Sequence, residues 1–317
     1  MPAAEPPARA VAHAFAPAHV TGLFVPASSG RDPRGRGSVG AGIVLDAGVH
    51  AVAELRPARR ASVVIGADRP GPLSISREAA ARLLGPRPFA LRVRLRHDLP
   101  VGQGFGTSAA GALATALAVA RLLGRTRGDA IEVAHLADLF GGGGLGGVAA
   151  ILGGGLEVRT RPGIPPRGRI LHRPFPYPIF LGIAGRPLPS PRLLTDPVFL
   201  DRVRAAGSQA LRRFGARPTA TGFLAEAERF TDALGLAPPA LVRLLAGLRS
   251  DGARAAQGMF GRSFFAVPKD VAARRAVLRR LARAGIGAVE FRAGARGGRL
   301  LAGPARGLGT LIRRRAG

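Results

Sequence analysis

The chain has 317 residues, 47% of them hydrophobic, no cysteine, and a net charge of +28 from 47 basic against 19 acidic side chains. That length makes one large domain or two smaller ones. The missing cysteines exclude disulfides, thiolate metal sites and a cysteine nucleophile, and fit a reducing compartment. No apolar run reaches the roughly 18–20 residues of a membrane span. Prolines in "MPAAEPPARAVAHAF" stand where a signal peptide would be apolar, so a cytoplasmic protein without a membrane segment is expected. Lys269 is the only lysine, so the charge is nearly all arginine. The arginines are scattered and aromatics make up only 5%. No stacking cluster of the kind single-strand binders use is visible, and nucleic acid is expected to bind only non-specifically.

In chain order, residues 1–11 read as a flexible tail, 12–175 as an N-terminal domain and 176–317 as a C-terminal domain. Ala12–Val25 reads as a strand and then a turn at Pro17 and Gly22, followed by a long polar loop, Ser28–Gly42. "IVLDAGVHAVAEL" and "ASVVIGA" read as strands, and Phe89–Arg96 alternates apolar and charged residues with the strand period of two. A glycine loop then opens a helix from about Ser108 to Leu123, and Asp129 is placed to cap the next helix, "AIEVAHLADLF". "GGGGLGG" breaks that helix, "VAAILGGGLEVR" is helix or strand, and "RPGIPPRG" is a turn. Tyr177–Ala184 reads as a strand opening the second half. Helices follow at Pro197–Phe214, Thr219–Leu234 and Pro238–Leu248, then a strand at "SFFAV", a helix at Lys269–Ala284 and a strand at "GAVEFRA". The basic end, "LGTLIRRRAG", reads as exposed. The class is α+β.

The most informative stretch is "LPVGQGFGTSAAG", beginning at Leu99. It admits a dinucleotide, the phosphates of a nucleoside triphosphate, or a plain tight turn. The G-x-G-x-x-A spacing from Gly104 fits the dinucleotide fingerprint, but that unit needs a second parallel strand after the helix, and a second helix follows here. The Walker pattern needs a lysine that the loop lacks. An anion remains favoured on physical grounds. Gly102, Gly104 and Gly106 let backbone N–H groups approach a ligand, and a helix N-terminus adds unsatisfied donors with about half a positive charge. Ser108 sits in the first turn, where its hydroxyl can cap the helix or ligate magnesium on phosphates.

"PVGQGFGTSAA", Pro100 to Ala110, matches the P-x-G-x-G-x-G-x-S-x-A signature of the GHMP kinases. Within that superfamily the chain resembles the archaeal-type pantoate kinases. "AFAPAHVTGLF", "DPRGRGSVGAG", "AHLADLFGGGGLGGVAAILGGGLEVRTRPGIPPRG" and "QGMFGRSFFAV" carry the resemblance over nearly the whole chain. It implies the GHMP kinase fold, with a ribosomal-protein-like N-terminal domain and a C-terminal α/β domain. ATP would lie on Pro100, Gly102, Gly104, Gly106, Thr107, Ser108 and Ala109. Magnesium would be held by Ser108 and Asp138. The reaction would phosphorylate the terminal hydroxyl of pantoate on the way to coenzyme A, in a protein expected to form a homodimer.

The same resemblance makes His19 and Ser38 substrate-side candidates, and the substrate carboxylate needs a cation, which arginine's fork suits. Arg31, Arg34 and Arg36 are available on the long loop. His135 and Asp138, at i and i+3, share a helix face. Gly261 belongs to a second glycine turn that would close the nucleotide site. No metal-ligand spacing links the histidines and no G-x-S-x-G elbow is present. Two positions depart from the family: Gly147 stands where a catalytic Asp is usual, and Val39 where an arginine is common. They leave open a kinase of another small hydroxy acid, or a catalytically weakened relative. Outside enzymes the alternative is a basic nucleic-acid-binding protein on the same scaffold.

Overall fold

The computed structural model describes residues 9–27, 30–142, 145–188, 195–215 and 218–303. Two long strands, β1 (Ala10–Ala27) and β2 (Gly37–Pro57), pair antiparallel and form the spine of the first sheet. β3 (Ser62–Ala67) and β4 (Phe89–His97) extend it on one side, in the order β1-β2-β4-β3. In β4 the period-two pattern is realised: Leu91, Val93 and Leu95 are buried while Arg92 and Arg94 are exposed. The buried face is covered by α1 (Ser74–Leu84), α2 (Thr107–Leu122) and α3 (Arg127–Phe140). Every residue of α2 from Ala109 to Ala120 is buried, which explains why it is apolar all round and built mostly of alanine. A four-residue helix, α4 (Gly147–Ala150), then leads into β5 (Leu156–Arg161), which pairs with the first half of β2, and β6 (Arg169–Arg173), which pairs with β5.

The second sheet is antiparallel, in the order β10-β7-β9-β8, from β7 (Ile179–Ile183), β8 (Ala253–Gln257), β9 (Ser263–Pro268) and β10 (Ala288–Phe291). Between β7 and β8 run α5 (Pro197–Phe214), α6 (Ala220–Leu234) and α7 (Pro239–Ser250); α8 (Val271–Arg283) joins β9 to β10. Leu241, Leu245 and Leu248 of α7 and Val277 and Leu281 of α8 pack on Phe264 and Ala266 of β9. Phe199, Val203 and Phe214 of α5 and Phe223 and Phe230 of α6 share a core with Val20, Leu23 and Phe24 of β1. The site described below lies where these halves meet.

Several elements differ from the sequence reading. β1 is one continuous strand because register shifts at Pro17/His19 and Thr21/Leu23 absorb the proline and Gly22. The expected loop Ser28–Gly42 is shorter, since β2 begins at Gly37 and a 3₁₀ turn capped by Asp32 occupies Pro33–Gly35. The cap of α3 is Thr126, not Asp129. Thr126 Oγ1 accepts from the Asp129 N–H and the Asp129 carboxylate accepts from the Thr126 N–H, a capping box. "VAAILGGGLEVR" is both alternatives in turn, α4 and then β5. α1, β6 and β8 were not anticipated, nor was β11 (Arg299–Leu301), which returns to pair with β1. The boundary expected near residue 175 falls between β6 and β7, which belong to different sheets. Residues 1–8 of the expected tail and the basic end "LGTLIRRRAG" lie outside the described residues. Among those residues no helix is long and apolar enough to cross a membrane.

Candidate active site

A cleft opens between the glycine loop, the start of α4 and the 258–261 turn, with β1, β2 and β5 as its floor. Gly102, Gly104 and Gly106 all adopt positive φ, at 77°, 78° and 64°. A side chain at any of them would be strained, so the alternate glycines follow from the loop's path. Contact sharpens the point at Gly104, where a Cβ would lie 2.8 Å from the Gly258 carbonyl oxygen. The second glycine turn therefore packs on the first. A Cβ on Gly261 would lie 2.1 Å from the Gln103 carbonyl oxygen. Ser263 Oγ donates to that same oxygen at 2.5 Å, and Gln103 Nε2 donates to the Gly185 carbonyl at 3.0 Å. Residues from the second sheet and its connections thus hold the loop in shape.

Gly106 is the N-cap of α2, in left-handed conformation, and no side chain caps the helix. The first-turn N–H groups are left to whatever enters the cleft, and the helix dipole favours an anion there. Ser108 is half-buried on the cleft wall beside Thr107 and Ala109, and its hydroxyl is not spent on a cap. Pro100 leads into the loop and is not part of the wall.

On the floor, His19 is buried at 3% exposure. Its Nε2 lies 2.8 Å from Glu157 Oε1, its Nδ1 lies 3.3 Å from Thr21 Oγ1, and its backbone N–H donates to the Phe105 carbonyl at 3.0 Å. Burial is the largest influence on the imidazole and holds its pKa below the ordinary value, against the pull of Glu157. Ser38 is buried on the same floor and its Oγ donates to the Leu145 carbonyl.

Of the arginines on the loop before β2, none lines the cleft. Arg34 clasps Asp32 and lies 3.9 Å from Glu132, Arg36 donates to the Gly30 carbonyl at 2.7 Å, and Arg31 is exposed. The guanidinium in the wall is that of Arg159 on β5, only 3% exposed. Its Nη1 donates to Glu157 Oε1 at 2.5 Å, while its Nε is buried without a partner. Sequence reading missed it because 148–159 was open between helix and strand. Only the strand reading puts Glu157 and Arg159, at i and i+2, on one face. Val39 is half-buried in β2 and paired with Val25, outside the cleft wall.

Asp138 and His135 both lie on the buried face of α3, at 1% exposure each. Neither is solvated helix surface, and neither lines the cleft. His135 Nε2 faces the Pro33 carbonyl at 3.3 Å, and burial lowers its pKa. Asp138 sits behind Gly147. Burial pushes its carboxyl up to about 7, only partly offset by the Gly147 N–H. Its Oδ1 is buried without a partner. Gly147, which does line the cleft, is the first residue of α4 and has an ordinary negative φ; the positive φ belongs to Gly146.

Comparison with known proteins bears on the family. The GHMP kinases N terminal domain matches residues 74–155. The chain is 33% identical over 273 residues to the pantoate kinase of Thermococcus kodakarensis, covering 83% of this chain and 89% of the relative. It is 26% identical to the pantoate kinase of Methanocaldococcus jannaschii over 80% of this chain and 92% of the relative. Among solved structures, a phosphotransferase related to the coenzyme A biosynthesis pathway superposes with a TM-score of 0.81 at 28% identity, covering 92% of this chain and 98% of the other. A chain matched over most of its length at that identity belongs to the pantoate kinase family of the GHMP kinases.

Proposed function

We propose that this protein transfers the γ-phosphoryl group of ATP to the terminal hydroxyl of pantoate. The observation that carries the reading is the pairing of two charge sites across one cleft: the uncapped N-terminus of α2 behind three left-handed glycines, and the buried guanidinium of Arg159. The first suits phosphates and the second a small carboxylate. A hydroxy acid held by its carboxylate at Arg159 presents its far hydroxyl toward the loop. Phosphoryl transfer asks mainly for such positioning and for charge stabilisation.

Magnesium fits the residues present. Ser108 offers an uncommitted hydroxyl on the wall, and Asp138 holds a buried carboxylate oxygen without a partner behind Gly147. Ser108 would hold it from the wall; Asp138, the other ligand expected from the sequence, does not line the cleft and would stand behind Gly147. When bound, the ion would neutralise charge on the β- and γ-phosphates. Arg31, Arg34 and Arg36 play no part in this reading, and Ser38 and His19 shape the floor under the substrate. A kinase of another hydroxy acid and a nucleic-acid-binding scaffold are not favoured. The family's expected homodimer is open to a direct mass measurement by light scattering.

The test is ADP release with pantoate, homoserine, mevalonate and shikimate as acceptors. Turnover with pantoate well above the others supports the reading. Preference for another acceptor, or ATP binding without transfer to any of them, overturns it.

A further inference from the structure

The kinase reading leaves the proton of the attacking hydroxyl without a destination. Position 147 has no side chain, and Asp138 does not line the cleft. We propose that Thr21, His19 and Glu157 form a hydroxyl–imidazole–carboxylate relay that takes up this proton, with Thr21 touching the substrate. The proposal rests on the kinase reading above.

The relay is a connected line of three groups. Thr21 Oγ1 is 3.3 Å from His19 Nδ1, and His19 Nε2 is 2.8 Å from Glu157 Oε1. Thr21 and His19 line the cleft; Glu157 stands behind them, fully buried. The carboxylate also receives Arg159 Nη1. An acceptor at Nε2 fixes the imidazole as the Nε2–H tautomer and leaves the lone pair on Nδ1. Thr21 then donates its hydroxyl hydrogen to Nδ1 and keeps its oxygen lone pairs for a donor in the cleft. Burial keeps the imidazole neutral and able to accept.

The fold makes room for this contact at one position. His19 lies on β1 and Glu157 on β5, and the strand between them is β2, where Gly42 pairs with both Thr21 and Glu157. A Cβ on Gly42 would stand 2.2 Å from His19 Nε2 and 2.4 Å from its Cε1. The imidazole therefore crosses the middle strand over a residue with no side chain. Gly42 has no positive φ, and the Val20 carbonyl oxygen, 2.5 Å from the same Cβ position, bars a side chain there as well.

In the transfer, the substrate oxygen forms its bond to the γ-phosphorus as the bond from that phosphorus to the ADP oxygen breaks. The substrate proton passes to Thr21 Oγ1 while the proton of Thr21 passes to His19 Nδ1. The imidazolium so formed is held by Glu157, and after the products leave it returns one proton to solvent. Thr21 is the catalytic residue here, His19 accepts through it, and Glu157 and Gly42 are positioning residues.

The experiment compares wild type with Thr21→Val, which keeps the branched shape without the hydroxyl, and Thr21→Ser, which keeps the hydroxyl. General acid–base help is typically worth about 10²–10⁴-fold. Thr21→Val is expected to lower kcat by about 10²-fold, with KM for ATP and hydroxy acid changed less than about threefold; Thr21→Ser is expected to stay near wild type. Unchanged kcat in Thr21→Val, or an equal loss in Thr21→Ser, overturns the relay while the kinase reading stands. No phosphoryl transfer by wild type overturns the kinase reading and the relay with it. Ring ¹⁵N shifts of His19 in the wild-type protein give a readout independent of turnover: the Nε2–H tautomer supports the relay, and the Nδ1–H tautomer overturns it.

Discussion

The carboxylate of Asp138 fills the space into which a side chain at Gly147 would grow. A Cβ on Gly147 would stand 3.3 Å from Asp138 Oδ2 and 2.7 Å from the Ala109 Cβ. Glycine at 147 and a short carboxylate at 138 are therefore packed against each other. The family's usual Asp at 147 cannot be restored here without moving α2 or α4.

Gly147→Asp tests this. On sequence grounds it is the natural way to raise turnover. The contact with Ala109 makes the outcome different: the variant is expected to lose about 1–3 kcal/mol of stability from overpacking and to gain no turnover. Thermal unfolding and kcat at saturating ATP and magnesium are the measurements. A stable, faster Gly147→Asp protein would show that the two helices yield easily.

Asp138 carries a pH signature in the absence of nucleotide and metal. Its pKa stands at about 7 in the fold against an ordinary 3.8. Between those values the native state holds a proton that the unfolded state has released, so stability falls as pH rises from about 4 to about 7. At one pKa unit per 1.36 kcal/mol the effect is a few kcal/mol. Asp138→Asn removes the ionisation, so its denaturation midpoint relative to wild type is expected to improve over that window. Parallel pH profiles for the two proteins would contradict the burial argument.

The α+β class and the path of the glycine loop were legible because each rests on local chemistry. Alternation fixes β4 by itself, and the spacing of Gly102, Gly104 and Gly106 ahead of an apolar helix describes a loop whose φ values the fold then realises. The floor of the cleft was not legible. Arg159 reaches it only because β5 pairs with the first half of β2, and His19 meets Glu157 only across Gly42, contacts spanning more than a hundred residues. The loop arginines looked available because nothing in their spacing says that Asp32 occupies Arg34. The sequence puts Asp138 on a helix but does not say that its face turns into the core behind Gly147.

Ser108→Ala separates a structural hydroxyl from a working one. A lost helix cap costs about 1 kcal/mol, but α2 has no side-chain cap, so its stability is expected to change by less than that. Magnesium-dependent turnover is expected to fall by at least tenfold. A lowered Tm with turnover intact would assign Ser108 to the helix and remove it from the proposed metal site.

Arg159 decides whether the cleft selects a carboxylate. Deleting its charge would strand Glu157, and breaking one side of a buried pair costs about 3–5 kcal/mol, so truncation confuses folding with binding. Arg159→Lys is the cleaner change. A lysine keeps a cation for Glu157 but offers a point charge in place of the planar fork that suits a second carboxylate. Among the described residues of the wall no other guanidinium substitutes for that fork, since Arg31, Arg34 and Arg36 all stand outside it. The variant is expected to raise KM for pantoate by about tenfold or more while KM for ATP stays within about threefold, because the loop and the start of α2 are untouched. The measurement is initial rates over a matrix of both substrate concentrations, with Tm recorded alongside. A rise in KM for ATP alone would move Arg159 to the phosphates. Unchanged constants for both would leave it a partner of Glu157 and nothing more, and the carboxylate would need another cation.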